Sequence, residues 1–161
     1  MLHVLLIALL CFQTPQPLAT YDKFDDETVI YTPDILVKGE SPENGIQVAA
    51  LRACRGKKDC EVKNVTLAFV FTGDHIATTT ELDGMFLIDG KRMWFRFTFQ
   101  TAKYEVGDTF GQSFGVRLSK KDMIRIVDGR NVACRINGYE FDFTDEQLEQ
   151  LKSVFGTPKV P

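Results

Sequence analysis

The sequence predicts an α+β fold that is mostly antiparallel β and sandwich-like, with two short helices near the C-terminus. Three observations carry this expectation. Apolar and polar residues alternate in at least six short runs, the period of a half-buried strand. Most connections between those runs are too short for the crossover that a parallel pair needs. Two stretches with helical periodicity and capping residues come late, after residue 118. The 161 residues suffice for one domain and are too few for two comfortable ones. A hydrophobic share of 44% with 25% charged residues argues against disorder. Thirteen phenylalanines predict an aromatic-rich core, which suits strands.

Residues 1–20 carry no Lys, Arg, Asp or Glu, and residues 4–12 form an unbroken apolar run. The run is too short to span a bilayer and has the length of a secretory h-region. Small residues at Ala19 and Thr20 mark the expected cut. The n-region lacks a basic side chain, and Pro17-Leu18-Ala19 is not a clean A-x-A. A buried N-terminal strand or helix is the alternative, and an uncleaved anchor is another. The expected organisation is a signal peptide over 1–20, one β-rich domain over 21–156 and a tail over 157–161. No other segment is apolar enough to cross a membrane.

ETVIYTPDILV reads as two extended pieces interrupted by Pro33, and KGESPEN as a polar turn region. Residues 45–53 alternate weakly and suit a strand. VTLAFVFT is a clear strand, with Val65, Leu67, Phe69 and Phe71 on one face. Residues 85–100 predict a hairpin around Asp89-Gly90. Its second arm puts Phe95, Phe97 and Phe99 on one face and Trp94, Arg96 and Thr98 on the other. A two-residue turn and a glycine bulge both fit here, so the register is open. Residues 111–118 form another strand, with Phe114, Val116 and Leu118 inward.

Ser119 caps a helix through KKDMIRIVD, with Leu118 and Met123 as staple and Met123, Ile126 and Val127 as buried stripe. Gly129 ends it. Asn137-Gly138 predicts a type I′ hairpin that sets Ile136 opposite Tyr139, Cys134 opposite Phe141 and Val132 opposite Phe143. The apolar alternation selects the same register. In TDEQLEQLKSVFG, Thr144 and Gln147 make a capping box, Leu148, Leu151 and Phe155 face the core, and Gly156 is the C′ residue.

The chemistry the sequence offers is sparse. Cys54 and Cys60 bracket RGKKD and are expected to form a structural disulfide if the chain is exported. Closing so short a loop contributes about 2 kcal/mol in the chain-entropy account. The spacing is not C-x-x-C, and two thiols make a poor zinc site. Cys134 falls on the apolar face of its hairpin and is expected as a buried free thiol. GQSFG matches the nucleophile-elbow pattern, but a strand is expected after Ser113 where the elbow needs a helix, and no histidine follows it. His75 lies near Asp74, Glu81 and Asp83 in sequence, without metal-ligand spacing. No catalytic, cofactor-binding or metal residue is assigned, and no cofactor is expected. Arg55, Lys57, Lys58 and Lys63 cluster, as do Lys91, Arg92 and Arg96 around Trp94 and Phe95. With a net charge of −3, these read as solvated basic patches and not as a nucleic-acid surface, with anionic glycan or lipid headgroups as further possibilities.

The segments YDKFDDETVIY, the Cys-bracketed loop, VTLAFVF, FLIDGKRMWF and SKKDMIRIVDGRNVACRINGYEFDFTDEQLEQLKSVF resemble a group of small secreted uncharacterised bacterial proteins with a β-rich domain. The likeness covers most of residues 21–155. It implies export and a β-rich fold, and brings no activity with it. The functional expectation is a non-enzymatic exported or periplasmic binding protein or envelope structural protein, secreted or periplasmic after signal cleavage. Its partner would be a protein, a glycan or an envelope component. The alternative is a small secreted hydrolase using Asp and Glu carboxylates with His75. A cleft joining Asp74, His75 or Glu81 would favour the hydrolase; an exposed apolar or aromatic patch around Trp94 and Tyr104 would favour binding.

Overall fold

Eight of the phenylalanines pack between two antiparallel sheets, while Phe24 and Phe110 are exposed. The structure is a computed structural model and describes residues 16–56, 60–75, 83–97, 99–100, 104–106 and 109–158. In chain order the strands are β1 (Leu18–Asp22), β2 (Glu27–Tyr31), β3 (Ile35–Ser41), β4 (Asn44–Arg55), β5 (Asn64–Thr72), β6 (Asp83–Ile88), β7 (Lys91–Arg96), β8 (Phe99–Gln100), β9 (Tyr104–Val106), β10 (Thr109–Ser119), β11 (Val132–Ile136) and β12 (Tyr139–Asp142). Helix α1 (Lys120–Val127) joins β10 to β11, and α2 (Asp145–Lys152) follows β12. The larger sheet has the order β1-β2-β4-β5-β10-β8, with β3 also on β4 and β9 also on β10. The smaller is β12-β11-β6-β7.

Strand β4 is long enough to take two partners on one side: β3 pairs its first half and β2 its second. Pro33 lies between β2 and β3, where a missing N–H does least harm. Thr32 bridges that gap, donating its N–H to the Ala50 carbonyl and accepting the Ala50 N–H on its hydroxyl. KGESPEN is less of a turn than its composition suggests. Strand β3 runs through Lys38 to Ser41 with two bulges, one allowed by Gly39 at φ +103°, and only Pro42 and Glu43 remain as the turn.

Alternation puts Val65, Leu67, Phe69 and Phe71 of β5 and Phe114, Val116 and Leu118 of β10 on the inner face of the larger sheet. The smaller sheet answers with Phe86, Phe95, Cys134, Ile136 and Phe141. Phe69 stacks on Phe95 at 6.4 Å and Phe71 meets Tyr139 at 5.8 Å across the sandwich. Phe97, between β7 and β8, touches Phe69, Phe95 and Phe114 where the chain passes from one sheet to the other. Each buried ring contributes on the order of 2–3 kcal/mol through lost apolar surface.

Both hairpins of the smaller sheet have two-residue turns. Asp89 and Asn137 take φ +49°, each followed by a glycine with positive φ, which is the type I′ geometry. This settles the β6–β7 register as Ile88 opposite Lys91 without a bulge. The β11–β12 register is the one the sequence predicts. Ser119 caps α1, and Thr144 with Gln147 closes a full capping box on α2. The helix ends differ in detail. Gly129 follows α1 not for left-handed freedom but because an added Cβ would lie 2.7–2.8 Å from Val132 and Ile88. Helix α2 stops at Lys152 and tightens into a 3₁₀ turn over Ser153–Phe155, so Gly156 is extended and not a left-handed C′ residue. The tighter turn shifts the phase: Val154 is fully buried, and Phe155, expected to face the core, packs against it partly buried.

Gly84 sits opposite Phe95, whose ring lies over it; an added Cβ would be 2.2 Å from the ring. Gly84→Ala must push Phe95 away from Phe69 and Phe86, and is expected to cost roughly 1–3 kcal/mol. Urea denaturation compared with the parent chain measures this.

Candidate functional site

The outer face of the smaller sheet is built by the side chains that alternate with its core. Trp94 lies opposite Met85, and Arg92 opposite Leu87. Across β6, Met85 pairs with Arg135 and Leu87 with Ala133. The result is an apolar centre of Trp94, Met85, Leu87 and Ala133 bordered by arginines. Trp94 is 67% exposed and Leu87 37%. A large indole in water is costly for a surface with no use for it, and Trp with Arg is the pairing enriched at interface hot spots. A shallow hollow of about 90 Å³ opens among Met85, Leu87, Ala133, Arg135 and Glu140.

The charges are partly tethered. Arg96 bonds Asp83 at 2.9 Å and holds its carboxyl below the usual carboxylate range. Arg135 pairs with Glu140. Both pairs are exposed and add little stability. They hold the guanidinium groups beside the apolar centre.

A second hollow, about 390 Å³, lies on the larger sheet between Leu51, Ala53, Thr66 and the chain from Cys60 to Asn64. Its rim carries Glu27 and Glu61 with Lys63 and Arg117, so the charges oppose one another. No aromatic side chain lines it. The Trp94 face is the better candidate on the second count, because it offers an exposed indole.

Beside that second hollow the Cys54 and Cys60 sulfurs are bonded, with Cα atoms 5.6 Å apart. Gly56 makes the turn at φ +76°. The bridge belongs to a larger fastening. Arg52 is buried and donates to the carbonyl oxygens of Val154 (2.8 Å), Cys60 (2.9 Å) and Gly156 (3.1 Å). One guanidinium thus ties β4, the disulfide loop and the C-terminal segment together. Sequence reasoning missed this role; the signal was a charged residue in phase with the buried side of β4. Lys57 and Lys58 at the loop tip lie outside the described residues.

Among the described residues, the remaining candidates do not converge. Ser113 is in mid-strand, opposite Val70, so GQSFG is part of β10 and not an elbow. Asn44 Oδ1 accepts the Asp74 N–H at 3.0 Å and lies 3.1 Å from His75 Nδ1, which donates to it. The His75 ring also packs on Tyr139 at 5.5 Å. Glu81 lies outside the described residues, as does the apolar run 4–12; nothing is described of the Tyr104 side chain. Among the described residues, no three His, Cys, Asp or Glu side chains gather as a metal site, and no helix is long and apolar enough to cross a membrane. Leu18, Ala19 and Thr20 are in β1, opposite Tyr31, Ile30 and Val29, so the expected cut at residue 20 divides that strand. No protein-family model, curated protein or solved structure matches the chain.

Two expectations follow. Arg52→Met leaves three carbonyls without their cation and should cost roughly 2–4 kcal/mol, while C54A/C60A should cost about 2 kcal/mol, both read by urea denaturation. Cys134 is a buried free thiol whose pKa burial pushes well above the ordinary value. Its alkylation by iodoacetamide at pH 8 should need unfolding. The unfolded thiol ionises first as pH rises, so stability should fall once pH passes the unfolded thiol's pKa, about 8.5.

Proposed function

We propose that this chain is a non-enzymatic exported or periplasmic binding protein, and that it meets its partner through the outer face of the smaller sheet. The observation that carries the reading is Trp94: a two-thirds exposed indole flanked by Met85 and Leu87 and bordered by Arg92, Arg96 and Arg135. Rigid strands hold these side chains, so little conformational entropy is lost on binding. The Cys54–Cys60 bridge supports an oxidising compartment, where such bonds persist. The charge-free, apolar start of the sequence supports export.

The test is a photo-crosslinking amino acid placed at residue 92 or, as control, at residue 117 on the larger sheet, in cells producing the full chain. A discrete adduct from 92 and none from 117 is the expected result. Equal labelling, or no adduct from 92, overturns the reading. Intact mass of the same protein, with thiol alkylation, tests export: a chain shortened at its N-terminus with Cys134 as its one alkylated thiol is expected.

A further inference from the structure

The smaller sheet has two edges, and the chain treats them differently. A two-residue turn makes its flanking residues a hydrogen-bonded pair, and bonded and free pairs then alternate along the hairpin. In β11–β12, Ile136–Tyr139 and Cys134–Phe141 are bonded, so the backbone of Glu140 points outward from β12. That edge is partly covered: Lys38 Nζ donates to the Glu140 carbonyl at 2.9 Å. In β6–β7 the same rule bonds Ile88–Lys91, Phe86–Met93 and Gly84–Phe95. The N–H and C=O groups of Arg92 and Trp94 therefore point away from β6. Among the described residues, none bonds them. Strand β7 keeps six residues in unbroken register, with no bulge and no proline.

We propose that the β7 edge takes an extended acidic segment of a partner protein as a fifth strand of this sheet. The proposal rests on the binding role assigned above and names its partner class. Docking a strand there satisfies the free backbone groups, which is the basis of recognition by strand addition. Side chains choose which strand. Arg92, Trp94 and Arg96 share the outer face, two residues apart, so an incoming strand meets the Arg92 cation, the indole, and the guanidinium of Arg96 already paired on its other side with Asp83. Acid, apolar residue, acid at alternate positions complements that row. A second copy of β7 does not: antiparallel pairing about Trp94 sets Arg92 against Arg96, and like charges directly opposite are destabilising. The same arginines oppose pairing of the free edge with itself in that register.

Trp94 is the only tryptophan, so its fluorescence reports on this edge alone. The probe is the blocked heptapeptide TETVTET, titrated into the full, disulfide-bonded protein. A saturable change in Trp94 emission is expected, weakened at least tenfold with TQTVTQT. Two N-methylated versions, one on the Glu and Val residues and one on the threonines, present a blocked edge in opposite phases. One should lose at least tenfold in affinity and the other should not, and which one does gives the direction of the added strand. Equal binding by both versions, equal binding of TQTVTQT, or no response to TETVTET overturns strand addition. So does an emission change that follows the protein's own concentration, which makes a second copy the occupant. A saturating response to an oligogalacturonate that exceeds the response to TETVTET makes an anionic glycan the occupant and also overturns it. In each case an adduct from residue 92 in the crosslinking experiment keeps the binding role standing; loss of that adduct as well removes both.

Discussion

The contact between the two sheets rests on the aromatic seam of Phe69, Phe95 and Phe97. Phe95 is central to it: it stacks on Phe69, leans on Phe86 and meets Phe97 edge-on. The space for it comes from Gly84, directly opposite on β6. Phe95 follows Trp94 in β7, so driving one ring into the core aims the other at solvent. The exposed indole is a geometric consequence of the most heavily used core residue. The packing that joins the sheets also sets the orientation of the candidate binding face.

A second fastening holds the far end of the larger sheet. Buried Arg52 collects three backbone carbonyls from two distant segments. The Cys54–Cys60 bridge fixes one of those segments and the 3₁₀ turn after α2 presents the others. Pro17 is buried beside Gly156, so the start of the described chain joins the same assembly. The disulfide therefore belongs to a structural corner. The candidate binding face is on the other sheet, away from that corner.

Much of the fold was legible because several local signals agreed. Around Asn137-Gly138 the turn type, the alternation and the capping box that follows all select one register, and the structure has it. The β6–β7 register was less legible, because Asp89-Gly90 suits two loop geometries and only the packing of Phe95 over Gly84 separates them. The end of α2 was only partly legible because helical periodicity assumes 100° per residue, while a 3₁₀ turn advances by about 120°, which buries Val154 beside Phe155 and leaves Gly156 extended. Pairing between segments far apart in sequence, such as Lys38 with Glu140, leaves no periodic trace at all.

The sequence by itself determined what local physics can write: alternation for the strands, φ-permissive pairs for the turns, capping residues for the helices, and two cysteines close enough to bond. It also marked Trp94 as facing away from the phenylalanines of its own strand. Tertiary structure alone decided which strands are neighbours, and so which edge is open. That choice depends on how two sheets share one aromatic core, a sum over contacts distant in sequence. It put Lys38 on the Glu140 carbonyl of the β12 edge and, among the described residues, left the β7 edge, with its arginines and its tryptophan, without a neighbouring strand.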